Sequence, residues 1–172
     1  MNGLEAEEFA AWEFLPGMRF GEREAWWRGG APRDVPHEGL DLAAYRTREG
    51  RRMSLAPGTL VPVVWAGEVA AIVPDFLGAS VFVAHARGDG QGRRLHTVYG
   101  HLSPRRGLAP GSILAEGDEI GAIADTAARR SSVPAHLHLT VAWIADDTPG
   151  RLAWSVLHDP ARTVLVDPLS LL

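Results

Sequence analysis

Two histidines stand one residue apart in Ala135-His136-Leu137-His138-Leu139. On an α-helix, positions i and i+2 do not face each other. On a β-strand they share a face, because side chains alternate with period two. The neighbours favour the strand. Leu137, Leu139, Val141 and Trp143 form one row and read as the core side, while His136, His138 and Thr140 form the other and read as a lined groove. Two imidazoles on one groove face suit metal binding or proton movement. Alternation by itself is equally compatible with satisfied structural histidines.

Two further segments carry related chemistry: His37-x-Gly39-x-Asp41 and Tyr99-Gly100-His101-Leu102-Ser103. His and Asp are both zinc ligands, and three protein ligands with one open position is the pattern of catalytic zinc. On a straight strand the Cα atoms of His37 and Asp41 are about 13 Å apart, slightly beyond what both side chains span to one ion. A bend is needed, and Gly39 is where the chain bends most cheaply. Pro36 and Gly39 argue against a helix there. His101 ends a run in which Leu95, Thr97, Tyr99 and His101 alternate to one side. His96 falls on the other side and His158 in the tail, so both read as structural or solvent-facing. His85 ends the neighbouring strand and is left outside the expected site.

The elements that position these residues are mostly strands. Residues 4–14, with Leu4, Phe9, Ala10, Trp12 and Glu13, read as a short helix stopped by Pro16-Gly17. Residues 16–36 read as irregular, with Trp26 and Trp27 anchoring the arm rather than walling a groove. Residues 1–35 are thus expected as an N-terminal arm packed on a domain of residues 36–172. The Arg-rich stretch 42–54 reads as a loop. Residues 57–73 suggest two short strands, and residues 79–86 and 95–102 two more, joined through Gly88-Asp89-Gly90-Gln91-Gly92. Pro110-Gly111-Ser112-Ile113-Leu114 faintly repeats Pro57-Gly58-Thr59-Leu60-Val61, and each is followed by Gly and an acidic residue. Such half-repeats suit a barrel or sandwich built of two similar β-meanders. A last short strand is expected near Thr163–Val166.

Composition removes several function classes. At 172 residues the chain suits one domain with a real core. A net charge of −4 gives no reason to expect nucleic acid or an anionic membrane as partner. No run of about 18 apolar residues exists to span a membrane. The absence of Cys excludes disulfides and thiolate zinc sites. Lys is also absent, which excludes Schiff-base chemistry and a lysine-tethered lipoyl or biotinyl group. The acidic first residues lack an apolar leader. A cell-envelope or extracellular location is expected if a leader is missing from this sequence, and a cytoplasmic one otherwise.

Taken in order, His-x-Gly-x-Asp, Tyr-Gly-His-Leu-Ser and His-Leu-His resemble the motifs of the lysostaphin-type zinc endopeptidases of peptidoglycan. The frame is similar too: Pro57-Gly58-Thr59 before a glycine-containing turn, Gly117-Asp118-Glu119-Ile120-Gly121, and Val166-Asp167-Pro168-Leu169. The resemblance covers roughly residues 36–170. It implies an antiparallel β-sheet with a narrow groove and one Zn²⁺ on its floor. It assigns the metal to His37, Asp41 and His138, and the catalytic roles to His101 and His136. The implied reaction is hydrolysis of peptide cross-links in bacterial peptidoglycan by zinc-activated water. The runner-up is a non-catalytic domain of the same fold that binds peptidoglycan or regulates an amidase. A phosphocarrier with a similar His-x-Gly-x-Asp stretch would need neither zinc nor His-x-His. The resemblance departs at residues 42–54, longer than usual, and at Ala128-Arg129-Arg130-Ser131-Ser132-Val133-Pro134, where a Gly-rich segment is usual. Neither cross-link specificity nor oligomeric state follows from it.

Overall fold

Long alternating runs of β-branched and aromatic residues build the centre of the molecule. The structure is a computed structural model describing residues 8–147 and 152–171. Its strands are β1 (Phe9–Glu13), β2 (Glu24–Ala25), β3 (Ala31–Pro32), β4 (Leu40–Leu42), β5 (Ala44–Thr47), β6 (Arg52–Ser54) and β7 (Leu60–Pro62). They continue with β8 (Gly67–Pro74), β9 (Ala79–Gly88), β10 (Arg93–Pro104), β11 (Ile113–Leu114), β12 (Glu119–Ile123), β13 (Leu137–Ala145) and β14 (Thr163–Val166). Among the described residues there is a single short α-helix, α1 (Trp154–Leu157), with 3-10 turns at Trp26–Arg28 and Pro168–Ser170.

Nine strands form one antiparallel sheet. Its main path runs β11-β8-β9-β10-β12-β7; β13 also pairs with β10 and carries β4 and β14 on its other side. The fold is therefore mostly β, as the strand patterns imply. The two Pro-Gly half-repeats pair reciprocally: β7 with β12, and β8 with β11. One face of the sheet buries Tyr99, Leu139, Leu137, Val81 and Val83 in the larger core. Part of the other face is covered by a second cluster of Phe82, Val98, Ala142 and Ile144 under Val156 and Leu157 of α1. That cover stops short of the N-terminal end of β13. There the same face carries His136, His138 and Thr140, so a groove forms where the sheet's second layer ends.

The expectations for residues 4–14 and 42–54 fail for physical reasons, and residues 16–36, expected to be irregular, carry the β2–β3 pair. Residues 9–13 form β1, paired to β5, rather than a helix; residues 4–7 lie outside the described residues. A bulge between Phe9 and Ala11 shifts the register, so Phe9 and Trp12, three residues apart, share a face. Their rings pack on each other at 5.2 Å and on Tyr45 at 5.7 and 6.2 Å. A bulged strand thus imitates helical spacing. The stretch 42–54 is not a loop: it contributes β5 and β6, which form a three-stranded sheet with β1. Its arginines point outward, where Arg46 and Arg52 pair with Glu13 of β1 at 2.8 and 2.9 Å. Tyr45 and Thr47 turn inward and are buried.

Candidate metal centre

β4 and β13 lie side by side with Asp41 opposite His138. His37 approaches from the segment just before β4, where the chain bends at Gly39. His37 Nε2 is 3.2 Å from His138 Nδ1 and 3.2 Å from Asp41 Oδ1, and His138 Nδ1 is 2.8 Å from the same oxygen. These three ligand atoms fall within 4.8 Å of one another, and all three residues are buried. Burial opposes ionisation of Asp41, but the adjacent imidazoles of His138 and His37 outweigh it and hold the carboxyl well below its usual value. His37 Nδ1 lies 3.1 Å from the Arg19 carbonyl, and His138 Nε2 lies 2.9 Å from Thr140 Oγ1. A carbonyl only accepts, so Nδ1 of His37 carries the hydrogen and its Nε2 lone pair faces the centre. Two imidazole nitrogens and a carboxylate oxygen converging on one buried point form a donor set that fits a zinc-type cation.

Gly39 does more than bend the chain. A Cβ there would meet the Leu139 carbonyl oxygen at 2.5 Å, His138 Nε2 at 2.7 Å and Thr140 Oγ1 at 2.8 Å. Gly39→Val is therefore expected to cost about 1–3 kcal/mol of stability and to weaken zinc uptake, because it displaces a ligand's imidazole. Thermal unfolding and zinc titration check this; wild-type values in both would show that the site has room to spare.

His136 and His101 stand beside the three. His136 Nε2 is 3.6 Å from Asp41 Oδ1, and its Nδ1 is 2.8 Å from the Pro134 carbonyl, which leaves Nε2 with the lone pair. Burial pushes this imidazole down to about 4, with Asp41 pulling the other way. It is a neutral base at neutral pH. The His101 ring lies 4.8 Å from that of His136 and 5.9 Å from that of His138. Simple alternation from Leu95 to His101 would have pointed it to the opposite face, with Tyr99 in the larger core. A bulge prevents this. Tyr99 pairs with Val81 but Leu102 pairs with Ala79, so one extra residue sits in β10, and His101 takes φ +63°. The extra residue turns His101 into the groove. His85 is buried elsewhere, between the Ala66 carbonyl and Thr97 Oγ1, while His96 is buried outside the cluster and His158 is exposed.

The profile of peptidase family M23 matches residues 36–149. The chain belongs to the M23 peptidase family. No curated protein matches it. Among solved structures, lysostaphin is similar at 20% identity and a TM-score of 0.51, over 96% of this chain and 54% of that one. A variant catalytic domain of the prophage-encoded M23 protein EnpA from Enterococcus faecalis is similar at 22% identity and a TM-score of 0.46, over 83% and 98%. A chain of the SpoIIQ–SpoIIIAH pore-forming complex is similar at 22% identity and a TM-score of 0.47, over 79% and 65%. This M23 chain thus spans less than two thirds of the lysostaphin chain and of the pore-complex chain.

Sequence reading missed three residues of this M23 site. Trp26 Nε1 donates to Asp41 Oδ2 at 2.7 Å. Trp154 packs its ring 5.3 Å from that of His138 and donates from Nε1 to Ser80 Oγ at 3.0 Å. Trp27, Arg33, Glu38, Phe76, Val133 and Trp154 wall a cleft of about 190 Å³ over the histidines. The third is Asp75, whose carboxylate is 3% exposed. Its Oδ1 accepts from the backbone of Leu77 and Gly78, and its Oδ2 from Ser80 Oγ and the backbone N–H of His101. The His101 Nδ1 is also 3.2 Å from Oδ1, without the alignment of a hydrogen bond. Burial opposes ionisation, yet hydrogen bonds from His101 and Ser80 carry the carboxyl far below its ordinary 3.8. In the sequence, residues 74–78 fall between two expected strands and carry no motif.

Asp75→Asn presents an amide NH₂ to groups that are themselves donors, and is expected to cost about 1–3 kcal/mol at neutral pH. A carboxyl with a depressed folded pKa stabilises above its unfolded value. That contribution is lost as pH falls through the folded value. The gap between the two proteins should therefore be full above pH about 4 and close below the ordinary 3.8. Denaturant unfolding at several pH values measures it; a gap that does not narrow on acidification would count against the ionised carboxylate.

Proposed function

We propose that this protein is a zinc-dependent endopeptidase that hydrolyses peptide cross-links of bacterial peptidoglycan. The observation that carries the reading is the convergence of His37 Nε2, His138 Nδ1 and Asp41 Oδ1 on one buried point under a cleft, with His136 and His101 beside it. Family membership and the likeness to lysostaphin's fold support it. The place of action for that substrate is the cell envelope.

His37, Asp41 and His138 would hold the ion. Bound zinc supplies Lewis acidity to a scissile carbonyl and makes water acidic enough to deprotonate near neutral pH. The rest is done by this chain's side chains. The indole of Trp26 and the Arg19 carbonyl fix Asp41 and His37 from behind. His136, neutral and with Nε2 free, takes the proton of the attacking water and returns it to the leaving amine. His101, turned into the groove by its bulge, donates a hydrogen bond to the oxyanion of the tetrahedral intermediate. Phe76, exposed and 4.9 Å from the His101 ring, and Trp154 flank the peptide.

The test is incubation of zinc-loaded protein with purified sacculi and mass spectrometry of the released muropeptides. New amino termini at cross-links are expected. Binding to sacculi without release of any muropeptide would favour the non-catalytic binding domain instead.

A further inference from the structure

We propose that Trp26 is a positioning residue of the metal centre, holding Asp41 so that Oδ1 alone faces the ion. The N-terminal arm is then part of the site. The inference rests on the metal reading above and adds residues outside the family match, which begins at residue 36.

The Asp41 carboxylate is only 2% exposed, so each of its oxygens needs a partner. Oδ1 faces the histidines. Oδ2 faces away from them, and the arm supplies its donors: Trp26 Nε1 at 2.7 Å and Arg33 Nη2 at 3.5 Å. An oxygen engaged by an indole N–H is not free to swing round as a second ligand. The same indole packs edge-on against His136 at 5.3 Å, so one ring fixes the positions of both a ligand and its neighbour. The arm reaches a second ligand as well, through the Arg19 carbonyl at His37 Nδ1. Arg33 also ties the arm to itself, donating to the carbonyls of Gly17 and Glu24. Such outer contacts orient metal ligands, and losing one typically costs 10- to 100-fold in metal affinity.

An arm that merely packs on the domain would not require the indole nitrogen. Trp26→Phe keeps an aromatic ring and removes the N–H. Trp12→Phe, in the aromatic cluster with Phe9 and Tyr45, perturbs the anchoring of the arm without touching Asp41. Zinc affinity is measured by competition with a chromophoric chelator, and ligand geometry by the visible spectrum of the cobalt(II) form. Trp26→Phe is expected to weaken zinc about 10- to 100-fold and alter the cobalt spectrum, with Trp12→Phe like wild type. Equal affinity and an unchanged spectrum in Trp26→Phe overturn the inference. Equal losses in both variants do so too, because the arm then acts only as a clamp. No zinc bound by the wild type is a different result, and removes the metal reading itself. Should Trp26→Phe fail to fold, ¹⁵N-tryptophan labelling of the wild type decides. The Trp26 indole proton, assigned through its contacts with His136, should exchange slowly and shift on zinc titration. Fast exchange with no response to zinc again overturns the inference.

Discussion

His138→Ala is expected to release the metal and abolish cleavage together. The substitution removes the nitrogen that lies nearest Asp41 Oδ1, at 2.8 Å, and leaves two ligands from one short segment, His37 and Asp41. Two ligands hold zinc poorly where a catalytic site uses three. The loss is amplified electrically. Asp41 keeps its charge while buried partly through hydrogen bonding to His138, so the alanine leaves a carboxylate with less compensation and pushes it towards its protonated form. Elemental analysis should fall from about one zinc per chain to near zero, with muropeptide release at background. Full zinc content in His138→Ala would show that the metal sits elsewhere.

His136→Ala and His101→Ala are expected to give the opposite pattern: zinc retained and turnover down by about 10²- to 10⁴-fold, the usual worth of a positioned acid or base. Neither side chain belongs to the converging ligand set. His136 approaches Asp41 at 3.6 Å, and burial keeps its imidazole neutral. His101 is tied instead to Asp75 through its backbone. Metal content and cleavage rate are measured on the same samples. Loss of zinc in His136→Ala with retention in His138→Ala would reverse the roles within the pair. Undiminished cleavage in both His136→Ala and His101→Ala would remove them from the reaction.

What sequence reveals here depends on distance along the chain. Period two in β13 is local, so the shared face of His136 and His138 and the leucine row behind them are readable from residues 136–139 alone. The need for Gly39 was likewise visible from the span between His37 and Asp41. Bulges are not local. The one in β10 exists relative to β9, and counting alternation within β10 grouped His101 with Tyr99, from which the bulge separates it. The bulge in β1 made a strand look like a helix for the same reason. The links of Asp75 to His101 and of Trp26 to Asp41 were not visible, because these partners lie 26 and 15 residues away. Trp26 and Trp27, read together as anchors, divide the work: one hydrogen-bonds Asp41 and the other walls the cleft.

The pairing of β4 with β13 matches like with like. Leu42 stands opposite Leu137, Asp41 opposite His138, and Leu40 opposite Leu139. Sliding β4 by one residue would expose the two leucines of its core side and drive Asp41 into the apolar layer. A slipped edge strand therefore forfeits burial and the His37–Asp41–His138 cluster at once. The leucines on either side of Asp41 act as proofreaders of the chemistry: any misalignment that spoils the site is already penalised by water. A chain built this way needs no separate device to keep its three-residue edge strand in frame, and a change at Leu40 or Leu42, neither of which faces the cleft, would surface as a defect in the candidate metal centre.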